Sequence, residues 1–213
     1  RDLRMSRGLG DVYKRQGFTQ GNILEPSCGT GNFLGLLPAD MAGSKAYGVE
    51  LDSISGRIAQ QLYPNERIQI KGFEQTSFNN NSFDVVVGNI PFGDYRVSDK
   101  AYDKHNFKIH DYFAAKSVDK VKPGGVVALV TSKFTMDKLN EKARRYLAER
   151  CDLLGAVRLP NTAFKQNAGT EVTTDILFLK KRDTLTVEVP DWVHMSETAD
   201  GIPCNKYFVE NPD

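Results

Sequence analysis

The stretch FDVVVGNIPF, residues 83–92, organises the chain because an apolar run ends there in a short polar turn. The run from Phe83 to Gly88 has the composition of a buried strand. The four residues that follow, Asn89 to Phe92, offer a side-chain amide oxygen, a backbone carbonyl and an aromatic ring. Pro91 fixes its own φ and favours extended geometry at the residue before it, so the carbonyls of the turn keep a defined direction.

These groups suit a planar substrate that carries an exocyclic amino group. The two oxygens would accept the hydrogens of the amine, and the ring of Phe92 would stack on the flat face of the substrate. The alternative is a polar turn that only closes a core strand. The tetrapeptide alone favours neither interpretation, so the choice depends on the residues upstream.

Strand and helix patterns alternate from residue 22 onward. Short apolar runs predict strands, and apolar residues at spacings of three and four predict helices, as with Ile54, Ile58 and Leu62. The predicted strands are Asn22–Glu25, Lys45–Glu50, Arg67–Ile70, Phe83–Asn89, Val126–Thr131, Leu153–Leu159 and Thr174–Lys180. The predicted helices run from Asp52 to the residue before Pro64, from Phe107 to Val121, where Pro123-Gly124-Gly125 follows, and from Lys138 to Arg150.

This alternation predicts an α/β fold with a Rossmann-like, seven-stranded, mostly parallel sheet and helices on both faces. The loop between the last two strands is too short for a full crossover helix, so the last strand is predicted to be antiparallel. Ligands of such sheets bind beyond the carboxyl ends of the strands. The candidate binding residues are therefore sought at that edge.

Two segments besides the tetrapeptide lie at this edge. EPSCGTGNF, residues 25–33, directly follows the first strand, and Gly29 and Gly31 would let its backbone turn sharply and approach a ligand. A glycine loop could equally bind a dinucleotide, but the spacing to Gly35 is one residue longer than in the G-x-G-x-x-G fingerprint. Glu50 closes the second strand, where a carboxylate can accept both hydroxyls of a ribose. The alternative for Glu50 is a solvated strand end.

Composition indicates one soluble globular domain, since 40% of the 213 residues are apolar. No apolar run approaches the ~18 residues that span a bilayer, so no membrane partner is predicted. The net charge of the chain is +1, and residues 1–16 contribute +3 to it, so residues 17–213 have a net charge of −2. This mildly acidic charge gives no support for nucleic-acid binding. Scattered cysteines favour a reducing compartment, the cytoplasm, and no metal site is predicted from Cys28, Cys151, Cys204, His105, His110 and His194.

The segments EPSCGTGNF, GVELD and GNIPFGDY, in this order and spacing, resemble class I S-adenosyl-L-methionine-dependent methyltransferases that act on exocyclic amines. The resemblance is to the DNA adenine-N6 methyltransferases, whose signature is Asn/Asp-Pro-Pro-aromatic. Among these, the chain is most similar to the methylase modules of large methylase–helicase proteins of mobile elements. The resemblance extends from residue 22 to about residue 182. It implies S-adenosyl-L-methionine as cofactor and DNA as partner, with the target adenine flipped out of the duplex.

The resemblance also implies roles for individual residues. The methionine end of the cofactor would be held by Glu25, Pro26, Cys28, Gly29 and Gly31. The rest of the cofactor would contact Glu50 through its ribose, Leu51, Phe73 beside its adenine, and Asn89. The target adenine would be held by the catalytic residues Asn89, Ile90, Pro91 and Phe92, with Phe164 stacked on its other face.

The chain departs from the family pattern at several points. Ile90 replaces the first proline of the signature, which removes rigidity but keeps the main-chain carbonyl. Gly72 stands where many relatives carry an Asp that bonds the adenine N6 of the cofactor. The N-terminal cofactor-contacting motif of the family is missing before the first strand. No target-recognition domain follows the seventh strand.

Methylation of adenine N6 is the leading functional hypothesis. Acceptance of the two amine hydrogens by Asn89 and by the Ile90 carbonyl would localise the nitrogen lone pair toward the methyl group. The alternatives are a protein-glutamine N5 methyltransferase, whose amide substrate obeys the same chemistry, and a non-catalytic cofactor-binding module of a larger DNA-processing protein. A cytosine-C5 enzyme would need a Pro-Cys pair at the tip of the fourth strand, and Pro203-Cys204 lies elsewhere.

The loop Tyr95–Lys108 carries several basic residues close to the tetrapeptide. One prediction is that the loop contacts phosphates or becomes ordered only when substrate binds. The alternative is a solvated mobile loop. Its basic residues are Arg96, Lys100, Lys104 and Lys108.

Three segments are expected along the chain. Residues 1–16, RDLRMSRGLGDVYKRQ, show no regular periodicity and are predicted to be a non-native or disordered leader, with a genuine basic arm as the alternative. Residues 17–182 would form the methyltransferase catalytic domain. Residues 183–213 are expected to be a truncated C-terminal extension, because the final NKYFVENPD shows no closing helix or strand.

Overall fold

A computed structural model describes residues 20–38, 41, 43–161 and 173–212 of the chain. Within these ranges seven strands form one sheet, in the order β3-β2-β1-β4-β5-β7-β6, and two further strands form a hairpin. The strands of the sheet are β1 (Asn22–Glu25), β2 (Lys45–Glu50), β3 (Arg67–Ile70), β4 (Phe83–Asn89), β5 (Val121–Ser132), β6 (Cys151–Leu159) and β7 (Thr174–Lys181). The hairpin consists of β8 (Met195–Glu197) and β9 (Pro203–Asn205).

The predicted fold is confirmed. The first five strands pair in parallel, and β7 runs antiparallel to both of its neighbours, β5 and β6. The helices are α1 (Ser53–Leu62), α2 (Ile109–Lys120), α3 (Phe134–Asp137), α4 (Lys142–Ala148) and α5 (Lys206–Glu210). Helices α2 and α4 share one core with Leu24 and Val86, while α1 packs with Ala46 and Ile68 on the opposite face. No helix in the described part of the chain is long and apolar enough to cross a membrane.

Helix α1 forms where it is predicted, but its apolar stripe faces outward. Its N-cap is Asp52, whose side chain accepts a hydrogen bond from the Ser55 amide at 2.7 Å. Ile54, Ile58 and Leu62 remain 62%, 44% and 55% exposed, whereas Gly56 and Ala59 are buried. The helix turns its small residues inward because a Cβ at Gly56 would lie 2.8 Å from Ile70, so only glycine allows this close approach.

Two other predicted boundaries are wrong. Strand β5 begins at Val121 rather than Val126, because Gly124, with φ of 76°, lets the backbone bulge and rejoin β4 instead of ending the element. The helix predicted from Lys138 to Arg150 is confined to α4, and Leu139 is 80% exposed ahead of it.

The loop Tyr95–Lys108 is held against α2 by its own contacts, which argues against the alternative of a solvated mobile loop, while the contact with phosphates stays a prediction. The Tyr102 hydroxyl donates to Asp119 at 2.6 Å, and Asp99 accepts from Lys116 at 2.8 Å. Eleven of the twelve residues of α2 are buried, and the loop contributes to this burial through the contacts of Asp99 with Tyr112 and Lys116.

The C-terminal segment is integrated into the same core, and the expectation that it contains no closing helix or strand is wrong. The fully buried Arg144 donates to the Val193 carbonyl at 2.6 Å. The fully buried Asn205 donates to the carbonyls of Met136 and Trp192 at 3.0 and 2.9 Å. These buried hydrogen bonds fix β9 and α5 against the α3–α4 region.

Candidate active site

Three sequence-predicted residues end adjacent parallel strands at one edge of the sheet. Glu25 ends β1, Glu50 ends β2 and Asn89 ends β4, and β1 lies between the other two strands. Strands β2 and β3 are added on one side of β1 and strand β4 on the other, so the strand order reverses between β1 and β4. This reversal creates the crevice where such sheets bind ligands. The fold therefore brings the glycine loop, Glu50 and the tetrapeptide to one place.

The two central glycines of the loop have different roles. Gly29 has φ of 54° and a Cβ there would meet no atom within 4 Å, so its backbone faces open space that a ligand can enter. Gly31 has φ of 85°, and a Cβ there would overlap the ring of Tyr63. A Cβ at Gly35 would overlap the hydroxyl of the same Tyr63 side chain. The ligand-approach role predicted for both glycines thus fits Gly29, whereas Gly31 accommodates Tyr63.

Glu50 is tied to the glycine loop. One carboxylate oxygen accepts from the Gly29 amide at 2.7 Å, and the other accepts from the Asp52 amide at 2.8 Å. An ionised carboxylate offers about four acceptor directions, so each oxygen keeps capacity for a hydroxyl. The next residue, Leu51, is 74% exposed at the same edge and offers an apolar surface to a ligand. This arrangement fits a ribose with an adjoining base.

Glu25 is buried, and one of its carboxylate oxygens has no hydrogen-bond partner. Burial raises the pKa of this carboxyl well above its usual range, although the backbone amides of Leu34 and Phe33 oppose that rise. A buried acceptor without a partner is costly unless a donor is supplied. The α-ammonium of an amino-acid ligand is such a donor, so this carboxylate fits the methionine end of S-adenosyl-L-methionine.

The side chains of Cys28 and Pro26 are buried. The Cys28 sulfur lies 2.9 Å from the place that a Cβ on Gly48 would occupy, and its side chain is buried. Burial, with the nearby charges of Glu25 and Glu50, raises the pKa of the thiol to about 12, so it stays protonated. The ring of Pro26 packs on Gly88 of β4. The Cys28 side chain is therefore not positioned for a direct contact with a cofactor.

Phe73 is a core residue, contrary to its predicted position beside the cofactor adenine. Its side chain is 1% exposed, and its ring centroid lies 5.1 Å from that of Phe113. The buried Lys116 ammonium donates to the Phe73 carbonyl at 2.8 Å. Phe73 begins a 3-10 turn, Phe73–Gln75, and its ring packs against Tyr112 and Phe113 of α2.

Gly72 leaves room for another carboxylate. A Cβ at this position would overlap the carboxylate of Glu74, which folds back over the glycine. Residue 72 follows Lys71, whose amide donates to the Glu50 carbonyl at 2.9 Å, so the pair lies beside the proposed ribose contact. Glu74 was missed by sequence reasoning because the turn that reverses its side chain has no local signature.

The tetrapeptide presents two acceptors that no described donor occupies. The Ile90 amide donates to the Val130 carbonyl at 3.1 Å and the Ile90 side chain is 2% exposed, so this residue extends the sheet by one step. Its own carbonyl accepts no hydrogen bond within the described ranges. The Asn89 side chain is exposed and likewise makes none. The Ser27 hydroxyl donates to the Asn89 backbone carbonyl at 2.7 Å, a link to the glycine loop that sequence reasoning missed.

The remaining predicted residues of the target-base site are only partly placed. Pro91 and Phe92 are half-buried, and Phe92 packs against a core cluster that contains Val85 and Val87. Phe164 lies outside the described residues. Of the two predicted stacking rings, one is therefore described, and it follows the same end of β4 as the two acceptors.

Solved structures define the class of fold. The chain superimposes on the type I restriction-modification system methyltransferase subunit from Streptococcus thermophilus with a TM-score of 0.70 at 16% identity, covering 85% of this chain and 44% of that one. It also matches a TehB-like SAM-dependent methyltransferase from Corynebacterium glutamicum with a TM-score of 0.54 at 17% identity, covering 82% and 88%. The sheet is therefore that of the S-adenosyl-L-methionine-dependent methyltransferases.

Sequence comparison gives the family. Residues 44–164 match the Eco57I restriction-modification methylase family, and the chain belongs to it. The chain is 36% identical over 198 residues to Defense against restriction protein B of Escherichia phage P1, covering 90% of this chain and 9% of that protein. It thus spans about a tenth of the length of this relative. The predicted family is confirmed, and S-adenosyl-L-methionine is the cofactor of this class of methyltransferase.

Proposed function

We propose that this chain is the catalytic module of a methyltransferase that transfers a methyl group from S-adenosyl-L-methionine to N6 of adenine in DNA. One observation carries the proposal. At the tip of β4, the Asn89 side chain and the Ile90 carbonyl have no donors among the described residues and lie on consecutive residues. Two adjacent acceptors match the two hydrogens of one exocyclic amine. Membership of a restriction-modification methylase family supports DNA as the substrate.

The chemistry requires that the amine be made nucleophilic. The lone pair of the adenine amino group is delocalised into the ring, which makes it a weak nucleophile. Acceptance of its two N–H groups by Asn89 and Ile90 favours a tetrahedral nitrogen and localises the lone pair. The bound cofactor supplies the activated methyl group, while the protein supplies orientation and fixed dipoles.

Residues around the glycine loop would hold the cofactor. Glu25 would accept from its ammonium, the backbone at Gly29 would contact it closely, Glu50 would accept from its ribose hydroxyls, and Leu51 would cover its base. Ser27 is a positioning residue, since its hydroxyl joins the cofactor loop to the carbonyl of Asn89. The two binding sites are thus connected by one hydrogen bond.

The target adenine would be bound after it is flipped out of the DNA double helix. Extrusion of a base from a duplex costs about a few kcal/mol. Stacking on Phe92, and on Phe164 from the other side, would return about 1–3 kcal/mol per base. We further propose that residues 17–182 form the catalytic domain, with the C-terminal segment packed into the same core, and that it acts together with other domains of a longer protein, as the length of the phage relative suggests.

Mass spectrometry of treated DNA tests the proposal. Mixed-sequence DNA is incubated with the chain and methyl-labelled S-adenosyl-L-methionine, and nucleosides and added protein are both analysed for the label. We expect the label in N6-methyladenine. Label in cytosine or in protein glutamine, or cofactor binding without any transfer to DNA, would contradict the proposal.

A further inference from the structure

An exposed aromatic side chain stands at the end of β5. Phe134 is the first residue of α3 and 55% of its side chain is exposed. The cofactor and target-base contacts proposed above make no use of it. Its position and its neighbours nevertheless carry an inference about the substrate.

The backbone around Phe134 is rigidly placed. The next two residues, Thr135 and Met136, are buried, and the Thr135 hydroxyl lies 2.8 Å from that of Thr131. The Phe134 amide donates to the Ser132 hydroxyl at 3.3 Å. The turn is therefore anchored in the core on one side while it holds the Phe134 ring toward solvent on the other.

The ring lies at the edge of the sheet that carries the tetrapeptide. Asn89 pairs with Val130 in parallel register, and the Ile90 amide donates to the Val130 carbonyl at 3.1 Å. Parallel strands advance together, so the residues that follow β5 emerge at the same edge as those that follow β4. Phe134, four residues beyond Val130, thus lies at the same edge of the sheet as Phe92, three residues beyond Asn89.

The neighbour of the ring is a cation. The Lys133 ammonium lies 5.5 Å from the ring centroid of Phe134, within the range of a cation–π contact. An aromatic ring beside a lysine can stack on a base while the ammonium contacts the phosphate backbone. A protein partner would instead favour apolar side chains around the ring.

We propose that Phe134 and Lys133 form a DNA-contacting site, in which Phe134 stacks on a base and Lys133 contacts a phosphate of the bound strand. This inference rests on the proposed function, since it takes DNA as the ligand. It adds a contact on the β5 side of the site to the tetrapeptide on the β4 side. Stacking of this kind tolerates any base, so it contributes affinity without reading sequence.

Fluorescence anisotropy tests the site directly. The probes are a fluorescein-labelled mixed-sequence single strand and the corresponding duplex, with S-adenosylhomocysteine present. Phe134→Ala should raise the Kd for DNA about five- to a hundredfold, the range of base–aromatic stacking, while Phe134→Trp should preserve binding. Lys133→Ala should reduce the slope of log Kd against log salt by about one, which Phe134→Ala leaves unchanged.

Leu185→Ala is the matched control. Leu185 is 70% exposed and follows β7, which ends at the opposite edge of the sheet, so its truncation should leave DNA binding unchanged. Equal DNA affinity of Phe134→Ala and wild type would overturn the inference, as would a wild-type chain that binds neither probe. Binding that depends on Phe134 without methyl transfer would support this site and refute the proposed function. Methyl transfer with binding indifferent to Phe134 would do the reverse.

Discussion

Glu50→Gln should damage cofactor binding, although it changes only a charge and a few atoms. In the structure both carboxylate oxygens of Glu50 accept backbone amides, from Gly29 at 2.7 Å and from Asp52 at 2.8 Å. A glutamine has one oxygen, so its NH2 group must face one of these amides donor to donor. The substitution therefore disturbs the glycine loop or the start of α1, whichever way the amide turns.

The magnitude follows from the hydrogen bonds that are lost. A hydrogen bond to a charged group contributes about 1.5–3 kcal/mol. Loss of one such bond to the ribose should raise the Kd for S-adenosylhomocysteine roughly 10- to 150-fold. Isothermal titration calorimetry measures this Kd, and thermal unfolding without ligand measures the accompanying loss of stability.

Glu66→Gln is the control for this experiment. Glu66 also accepts a backbone amide, that of Ala46 at 2.9 Å, but at the opposite end of β2. Because only one of its oxygens is used in this way, a glutamine can keep the bond, and affinity for S-adenosylhomocysteine should not change. If Glu50→Gln bound the ligand as tightly as Glu66→Gln does, the assignment of Glu50 to the ribose would be wrong.

Three further predictions concern the glycine loop. Gly31→Ala should destabilise the fold by at least about 2 kcal/mol, because the residue has a left-handed backbone and its Cβ would overlap Tyr63. Gly29→Ala should cost about 1–2 kcal/mol, from backbone strain alone. Equal shifts in the free energy of unfolding would contradict the difference between the two glycines. Burial raises the pKa of Glu25, and only the ionised carboxylate can pair with the ammonium of the ligand. Affinity for S-adenosylhomocysteine should therefore rise as pH rises toward that pKa and then level off, and Glu25→Gln should abolish this pH dependence. A wild-type Kd that does not change with pH would argue against the contact. Ser27→Ala should lower kcat about two- to tenfold with little change in KM for the cofactor, because the one hydrogen bond that positions Asn89 contributes about 0.5–1.5 kcal/mol. An unchanged kcat would show that this hydrogen bond is only structural.

The sheet was predictable because its signals are local. Strands β1 to β4 begin and end where the sequence indicates, since each apolar run is bounded by turn residues or by proline. The ligand edge followed from topology, because parallel strands in such a sheet place Glu25, Glu50 and Asn89 side by side. These inferences needed no knowledge of long-range contacts.

Three of the errors involve contacts between residues distant in sequence. The outward stripe of α1 depends on Gly56 meeting Ile70, and the inward ring of Phe73 depends on the helix that carries Phe113. The order of the loop Tyr95–Lys108 depends on Asp99 and Tyr102 finding partners on α2. Local periodicity carries no information about such partners.

The C-terminal segment shows the same limit. Its helix and strand are short, and they are stabilised by buried side chains from other elements, such as Arg144. Within the segment itself, the polar Asn205 gives no sign that it is fully buried. Residues 183–213 therefore resembled an irregular tail in sequence although the described part of this segment is packed against α3 and α4.

Asn89 is proposed to activate an adenine amine, and substitution of this residue separates that role from cofactor binding. Asn89→Ala removes an exposed side chain that makes no hydrogen bond within the described residues, so the fold and the affinity for S-adenosylhomocysteine should be preserved. Asn79→Ala, an exposed asparagine ahead of the opposite end of β4, serves as the control.

The measurement is the rate of N6-methyladenine formation in DNA by mass spectrometry, with cofactor affinity determined on the same samples. Removal of one preorganised group that stabilises the transition state costs a factor of about 10²–10³ in rate. We expect this loss for Asn89→Ala and wild-type rates for Asn79→Ala. A rate of N6-methyladenine formation by Asn89→Ala within a fewfold of wild type, with the cofactor bound normally, would contradict the proposed role of Asn89.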